Sequence, residues 1–254
     1  MKFLFKDEEH LRELSEDALA VFMGVDEVGR GPLAGPVVAC SVALYFESKS
    51  SGLSILSMLN DQGIADSKKL SPKKRQQILQ NLNIDVSIIE NHQTYIQLKQ
   101  HDAFLIFTLN LQPPKVIDEI NILEASLLCM KNATTANLSF LDKANVELKA
   151  PITIWIDGNK GITLEKNKRK VSLNPVVKGD QNYLLVALAS IIAKEYRDLF
   201  MVNLGCQFPQ YGFQKHSGYG TKMHIENIKR FGVSSVHRKT FVKNFVEADE
   251  HKLS

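Results

Sequence analysis

Four carboxylates that lie far apart in the chain each follow an apolar run that is typical of a buried strand. Burying an ionised carboxylate without a partner costs several kcal/mol, roughly, because the ion loses its water. Side chains of this kind at the ends of buried strands therefore call for a cation. The four residues are Asp26, Glu27, Asp157 and Asp180.

The chemistry predicted for such a group is metal-dependent cleavage of a phosphodiester. The donors are all oxygens, with no convincing His or Cys partner, and this favours Mg²⁺ or Mn²⁺ over zinc. Two such ions about 4 Å apart would clamp the attacking and leaving oxygens of a phosphodiester. The Gly-rich turn after Glu27 lacks the GxxxxGK[ST] pattern, which argues against an NTPase.

Each carboxylate also has a simpler interpretation. The Asp26-Glu27 pair suits a charged hairpin, Asp157 an Asx-type turn, and Asp180 the N-cap of the helix that it opens. Asp198, beside Arg197, lies several helical turns beyond Asp180, and we interpret it as a structural, ion-paired residue.

The elements that position these residues can be predicted from spacing and caps. Strands are expected at 21–25, 37–44, 84–88, 104–109 and 152–156, with a shorter one before Asp180. Helices are expected at 7–20, 72–82 (after the N-cap Ser71), 114–131, 183–204 and 222–230 (after the N-cap Thr221). Segment 48–63 is predicted to be a surface loop, and 132–150 a polar connector.

Composition indicates an ordinary globular protein. The 254 residues are 44% hydrophobic and 23% charged, and the three cysteines are scattered, which favours a reducing compartment. No segment could span a membrane, so we expect a cytoplasmic protein. Seven Lys or Arg and one acid fall between residues 205 and 244, as in a face for a polyanion, although a solvated helix face explains them equally well.

Several motifs carry a resemblance to the ribonuclease HII family over about residues 21–245. They are G-V-D-E-V-G-R-G-P-L-A-G-P-V-V-A from Gly24, D-S-K-K-L-S from Asp66, I-D-G-N, V-V-K-G-D, A-S-I-I-A-K-E-Y-R-D, G-Y-G-T-K-x-H and H-R-K-T-F. Thr240 stands where the family usually has Ser. About 20 residues, 83–102, look like an insertion relative to the family.

The resemblance implies an α/β, RNase H-like fold, in which a mixed central sheet is flanked by helices. It implies an N-terminal extension (1–20), a catalytic domain (21–204) and a helical, substrate-binding C-terminal region (205–254). The implied activity is cleavage of RNA in RNA/DNA hybrids. It extends to incision 5′ of single ribonucleotides in duplex DNA, which leaves a 3′-hydroxyl and a 5′-phosphate.

The resemblance also implies roles for individual residues. The four carboxylates would be both catalytic and metal-binding, and Gly29, Arg30 and Gly31 would read the 2′-hydroxyl that distinguishes RNA from DNA. Tyr219 would stack on the deoxyribose after the junction. The remaining residues implied in substrate binding are Lys68, Lys69, Lys194 and Arg238.

Two alternatives stay open from the sequence. One is a ribonuclease HIII-like enzyme, which is disfavoured because only about 20 residues precede the first strand, too few for that family's N-terminal domain. The other is a non-catalytic protein that binds RNA/DNA hybrids through the basic C-terminal face. In either case we expect a monomer whose partners are nucleic acids.

Overall fold

The computed structural model describes residues 5–100, 102–146, 148, 150–165 and 169–250, and only the backbone at residues 100 and 246–250. The outer ends of the predicted N-terminal extension (1–4) and C-terminal region (251–254) lie outside the described residues, as do residues 147 and 149 of the predicted connector.

A six-stranded mixed sheet forms the centre of the fold, which confirms the predicted architecture. Its strands are β1 (Ala20–Val28), β2 (Val37–Phe46), β3 (Thr94–Gln100), β4 (Ala103–Gln112), β5 (Ile152–Asp157) and β6 (Val171–Val176). Their order across the sheet is β3-β4-β2-β1-β5-β6. Strands β1, β2, β4 and β3 pair antiparallel, whereas β1, β5 and β6 pair parallel. The last three strands therefore end at the same edge.

Helices cover both faces of the sheet and form the C-terminal region. Those of the described ranges are α1 (Lys6–Arg12), α2 (Lys49–Asp61), α3 (Pro72–Asn81), α4 (Pro114–Ile120), α5 (Ile122–Lys143), α6 (Gly179–Asn182), α7 (Leu184–Gln207), α8 (Phe213–His216), α9 (Lys222–Phe231) and α10 (Lys239–Glu250). Helix α7 packs with α2 and α3 on one face, and α5 on the other. The predicted caps Ser71 and Thr221 accept hydrogen bonds from the backbone N–H groups of Lys74 and His224.

The prediction of a surface loop over 48–63 was wrong, because this segment forms α2. Ser48 accepts a hydrogen bond from the Ser51 N–H at 3.2 Å, and the Ser51 side chain reaches back to the Ser48 N–H, which completes a capping box. Ile55 and Leu56 are fully buried. The serines that suggest a loop are here the helix start signal.

The predicted connector 132–150 was also wrong over most of its length, since α5 continues to Lys143. Some of its polar residues are buried and face polar groups of the sheet instead of solvent. Asn137 donates to the Ser41 carbonyl at 2.9 Å and accepts from the Thr108 hydroxyl at 2.7 Å. The polar residues of this segment therefore indicate a buried polar seam, in which side chains of α5 form hydrogen bonds with the sheet.

Two smaller corrections concern the N-terminus and the insertion. The first helix ends at Arg12 instead of continuing to residue 20, and the predicted strand 84–88 is a 3₁₀ turn at Val86–Ile88. The insertion also supplies β3, an edge strand that pairs with β4.

Gly24 allows α7 to lie directly on β1. A Cβ atom at this position would be 2.2 Å from both the Leu185 carbonyl carbon and the Val186 nitrogen. Only a residue without a side chain permits two backbones to approach so closely. This contact sets the height of α7, and of the residues that it carries, above the strand that ends in Asp26.

The start of α7 is capped from a distant part of the chain. Tyr183, the residue before the helix, makes no side-chain cap, and the fully buried Asp7 accepts a hydrogen bond from the Leu185 N–H at 2.9 Å. Burial raises the pKa of Asp7 to about 6, against the lowering effect of its backbone hydrogen bonds.

Asp7→Asn is expected to change the pH dependence of stability. The folded-state pKa lies above the unfolded value, so the folded form binds more protons between about pH 4 and 6 and loses stability as the pH rises through this window. Asparagine keeps the accepting oxygen without the charge. Relative to wild type, the variant should gain about 2–3 kcal/mol of unfolding free energy between pH 4 and pH 7.5.

Urea unfolding across this pH range tests the prediction. Glu9→Gln, on the exposed side of the same helix, controls for the loss of one negative charge. A difference between Asp7→Asn and wild type that does not vary with pH would contradict it.

Candidate active site

Asp26 and Glu27 occupy the end of β1 and point to opposite faces of the sheet, as strand alternation predicts. Asp26 is 4% exposed, and its Oδ1 accepts from the Glu27 N–H at 2.7 Å. Glu27 Oε1 accepts from Arg30 at 3.3 Å. Within the described ranges Glu27 Oε2 is buried and has no hydrogen-bond partner, so this acceptor is available to a cation.

Asp157 and Asp180 reach the same edge because β5 and β6 run parallel to β1. Val25 pairs with Ile156, which places Asp157 one residue further on, beside Asp26. The Oδ1 atom of Asp157 accepts from the Gly179 N–H at 2.7 Å, which fixes the turn between β6 and α6. Asp180, in that turn of helix, is 5% exposed. The structure thus brings all four predicted carboxylates to one end of the sheet.

Their charges interact. Burial raises the pKa of Asp26 well above its ordinary value, and the charges of Glu27 and Asp157 raise it further. Burial also raises the pKa of Glu27, while Arg30 opposes the shift. Burial and the charges of Asp66 and Asp157 raise the pKa of Asp180 to about 6. A cluster with these shifts favours the binding of positive charge.

The donor set suits a hard divalent ion, since it consists of carboxylate oxygens with one unpartnered acceptor. In the part of the chain that the structure describes, no three His, Cys, Asp or Glu side chains already surround one point as metal ligands. The four carboxylates therefore form a charged cluster and not a closed cage, and two of their oxygens, one each of Asp26 and Asp157, accept hydrogen bonds from backbone N–H groups.

Lys68 and Asp66 extend the cluster on one side. Burial lowers the pKa of the Lys68 ammonium, but the charges of Asp26 and Asp180 outweigh this effect and raise it overall. Asp66 is 7% exposed and accepts from the Lys68 N–H at 2.9 Å and from Gln181 Nε2 at 3.4 Å, and its charge raises the pKa of Asp180. Asp66 was not among the predicted site residues, because locally it looks like any turn-forming Asp.

Two of the predicted substrate-binding lysines contact other acidic residues instead of the four carboxylates. Lys69 is largely exposed, with its ammonium 4.0 Å from Asp66. Lys194 forms an ion pair with Asp198 at 2.5 Å, and Asp198 is also 3.4 Å from the guanidinium of Arg75. The interpretation of Asp198 as an ion-paired residue is confirmed. Lys194 stays a predicted substrate-binding residue that would have to leave Asp198 to act.

Arg238 does not lie on the surface where we expected it, because its side chain is fully buried. Its guanidinium donates to the carbonyls of Gly35 (3.1 Å), Arg30 (2.8 Å) and Gly29 (2.5 Å). Direct contact with a substrate is therefore excluded in this conformation. Arg238 instead shapes the Gly-rich loop between β1 and β2.

Arg197 holds the same loop from α7. It is also fully buried, and it donates to the carbonyls of Pro36 (3.0 Å), Ala34 (3.4 Å) and Ser217 (3.1 Å). Burial lowers the pKa of Arg197 to about 10 and that of Arg238 to about 9, so both stay charged at neutral pH. Gly29, at φ +90°, lies against Arg197, whose Nε would be 2.2 Å from a Cβ there.

Arg238→Lys should destabilise the fold by about 2 kcal/mol, because one ammonium cannot replace a planar guanidinium that donates to three backbone carbonyls. Thermal unfolding measures the loss. Arg230→Lys, on the exposed side of α9, is the matched control and should leave the melting temperature unchanged. Equal melting temperatures for the two variants would show that the carbonyls do not depend on Arg238.

An exposed surface of Arg30, Gly31 and Tyr219 lies beside the carboxylates. The Tyr219 ring passes 3.7 Å from the Cβ position of Gly31 and is 44% exposed. The other aromatics of this region, Tyr211 and Phe213, are buried. The alternative of a packed aromatic loop thus holds for these two residues and not for Tyr219.

Two buried histidines, which contact each other, support the backbone of Tyr219. His224 donates from Nδ1 to the Tyr219 carbonyl (2.9 Å) and contacts His237 through their Nε2 atoms (3.1 Å). Burial lowers the pKa of both histidines to about 4. They are therefore neutral at physiological pH, and in their hydrogen bond one Nε2 donates while the other accepts.

Comparison with known proteins gives one consistent family. The family model described as Ribonuclease HII matches residues 23–244. A relative named Ribonuclease HII from Caldicellulosiruptor bescii is 35% identical over 234 residues, covering 92% of each chain. Another of that name, from Chloroherpeton thalassium, is 41% identical over 224 residues, covering 86% of this chain and 88% of its own.

Solved structures resemble the fold at lower identity. The ribonuclease H2 of Pyrococcus horikoshii has a TM-score of 0.57 at 24% identity, covering 90% of this chain and 98% of its own. The structure of Bst-RNase HIII in complex with Mn²⁺ has a TM-score of 0.61 at 16% identity, covering 95% and 73%. These likenesses bear on the fold alone. In the described ranges no helix is both long and apolar enough to cross a membrane.

Proposed function

The chain belongs to the ribonuclease HII family, and on that premise we propose that it nicks duplex DNA on the 5′ side of single embedded ribonucleotides. As a member of this family it is an endonuclease that acts on the RNA strand of RNA/DNA hybrids. The products of incision would carry a 3′-hydroxyl and a 5′-phosphate.

The observation that carries this proposal is the convergence of Asp26, Glu27, Asp157 and Asp180 at one end of the sheet, where their charges interact. These side chains would hold Mg²⁺ or Mn²⁺. When bound, such ions activate water for attack on phosphorus and neutralise the charge that develops on the leaving oxygen. Asp26, which interacts with the other three, would be the central residue of the group that holds them.

The chain's own residues would bind and orient the substrate. Lys68, next to the carboxylates, would hold a backbone phosphate, with Lys69 further out. Arg238 draws the carbonyls of Gly29 and Arg30 inward, which would leave backbone N–H groups of the Gly29–Arg30–Gly31 segment to face a ribose 2′-hydroxyl. The exposed Tyr219 ring, beside Gly31, would stack on the neighbouring deoxyribose.

A nicking assay tests the proposal. A labelled DNA duplex with one ribonucleotide is incubated with the protein, with and without Mn²⁺ or Mg²⁺, and an all-deoxy duplex of the same sequence is the control. We expect one nick, 5′ of the ribonucleotide, that requires the ion. A duplex that is shifted on a native gel but stays intact would instead indicate a non-catalytic binding protein.

A further inference from the structure

Two buried serine hydroxyls meet beside the carboxylate cluster. Ser67, in the turn before α3, and Ser190, in α7, lie 2.8 Å apart through their Oγ atoms and are 3% and 5% exposed. They are 123 residues apart in the chain. A buried contact between two small hydroxyls that are so distant in the sequence is a specific feature of the packing.

The close packing of α7 on β1 places Ser190 over Asp26. Gly24 touches the backbone at Val186. Asp26 lies two residues further on the same face of the strand, and Ser190 lies four residues further on the same face of the helix. The two-residue step along β1 advances about 6.6 Å and the four-residue step along α7 about 6 Å, so Asp26 and Ser190 stay at the same level. The Ser190 hydroxyl accordingly lies beside the Asp26 carboxyl, where its interaction lowers the pKa of Asp26 against the effect of burial.

The direction of the two hydrogen bonds follows from the number of protons. A hydroxyl donates one hydrogen bond, and an ionised carboxylate only accepts. Once Asp26 is ionised, Ser190 must donate to it, and Ser67 must then donate to Ser190. The pair forms a one-way relay that ends on Asp26.

Ser67 is itself held in place by a buried ion pair. Arg75 donates to the carbonyls of Ser67 (3.1 Å) and Leu70 (2.9 Å), and its Nε lies 2.5 Å from Glu195 of α7. The turn that carries Ser67 is thus fastened to α7 at two points, Ser190 and Glu195. Lys68, which follows Ser67, is fixed by the same contacts.

We propose that Ser190, supported by Ser67, is a positioning residue that holds the Asp26 carboxylate in the orientation that binds a divalent ion. Asp26 Oδ1 already accepts from the Glu27 N–H, and a second donor removes the remaining rotation of the carboxylate. Hydrogen bonds to metal-ligating side chains raise affinity by orienting the ligand. The inference rests on the proposed function, since it presumes that Asp26 is a metal ligand.

Calorimetric titration of the full chain with Mn²⁺, without nucleic acid, tests this. Ser190→Ala should weaken binding about tenfold, and Ser67→Ala by a smaller factor. Because Ser67 acts only through Ser190, the double variant should bind no more weakly than Ser190→Ala. Additive losses would overturn the relay.

Ser126→Ala is the matched structural control. Its hydroxyl is also buried in a helix, where it donates to the Ile122 carbonyl at 2.8 Å and not to a carboxylate. It should lower the melting temperature by as much as Ser190→Ala and leave Mn²⁺ affinity unchanged. If Ser190→Ala behaves as Ser126→Ala does in both measurements, Ser190 only packs and the inference is wrong.

Asp26→Asn separates this failure from that of the proposed function. If wild type binds Mn²⁺ and Asp26→Asn does not, the metal site stands, and the serine variants alone decide the inference. If wild type and Asp26→Asn give the same titration, the site and the inference built on it both fall.

Discussion

Asp26→Asn should abolish cleavage while leaving binding of an RNA/DNA hybrid measurable. Asparagine keeps the shape of the side chain but removes the charge that is central to the cluster, since Asp26 interacts with Glu27, Asp157 and Asp180. Bound ions typically supply several kcal/mol of transition-state stabilisation, so losing them should cost about a thousandfold in rate or more. Single-turnover cleavage with saturating Mg²⁺ measures the loss.

Binding is followed in parallel by fluorescence anisotropy of a labelled hybrid. Asp61→Asn, at the end of α2 and away from the cluster, controls for the removal of one charge. Full activity of Asp26→Asn in Mg²⁺ would remove Asp26 from the catalytic group. Loss of both binding and folding would instead show that Asp26 is needed for the structure.

Gly24→Ala should be the most destabilising small substitution in the strands around the site. The added methyl group would meet two backbone atoms of α7 at 2.2 Å, and backbone cannot rotate away as a side chain can. Helix α7 must then move off β1, at a cost of at least about 3 kcal/mol, or about 10 °C in melting temperature. Thermal unfolding measures it directly.

Gly31→Ala is the matched control, because the added methyl group would lie 3.7 Å from Tyr219, an ordinary contact, and the backbone there has no positive φ. It should melt within about 2 °C of wild type. If the Gly24→Ala and Gly31→Ala proteins have equal melting temperatures, α7 can move away from β1 at little cost in free energy, and the prediction is wrong.

The carboxylate cluster could be predicted from the sequence because the ends of buried strands have a recognisable pattern. An apolar run followed by a carboxylate and a turn locates Asp26 and Asp157 at sheet edges without further information. That these edges coincide follows only from the parallel pairing of β1, β5 and β6, which periodicity does not encode.

The wrong predictions for segment 48–63 and for residues 132–143 share one physical cause. Both segments contain many polar residues, and polarity alone predicts exposure to solvent. In the structure these residues serve as a capping box at Ser48 and as a buried polar seam at Asn137. Local sequence shows that a side chain can form hydrogen bonds, but the partner is decided by the tertiary fold.

Arg238 illustrates the same limit within the site. A basic residue in a basic segment predicts contact with a polyanion. Its burial depends on carbonyls of a loop about 200 residues earlier, which no local pattern reveals. Asp66 was missed for a related reason, since its neighbours Lys68 and Gln181 meet it only in the folded chain.

The loop between β1 and β2 is synthesised early, but the two arginines that donate hydrogen bonds to its carbonyls are synthesised much later. Its carbonyls are bonded by Arg197 and by Arg238, and Arg238 lies 208 residues after its partner Arg30. During synthesis the strands can pair while these carbonyls still hydrogen-bond water, because long-range contacts form after local ones. A nascent or truncated chain that ends before Arg238 would thus contain all four carboxylates of the cluster and still lack the hydrogen bonds that shape the Gly-rich loop.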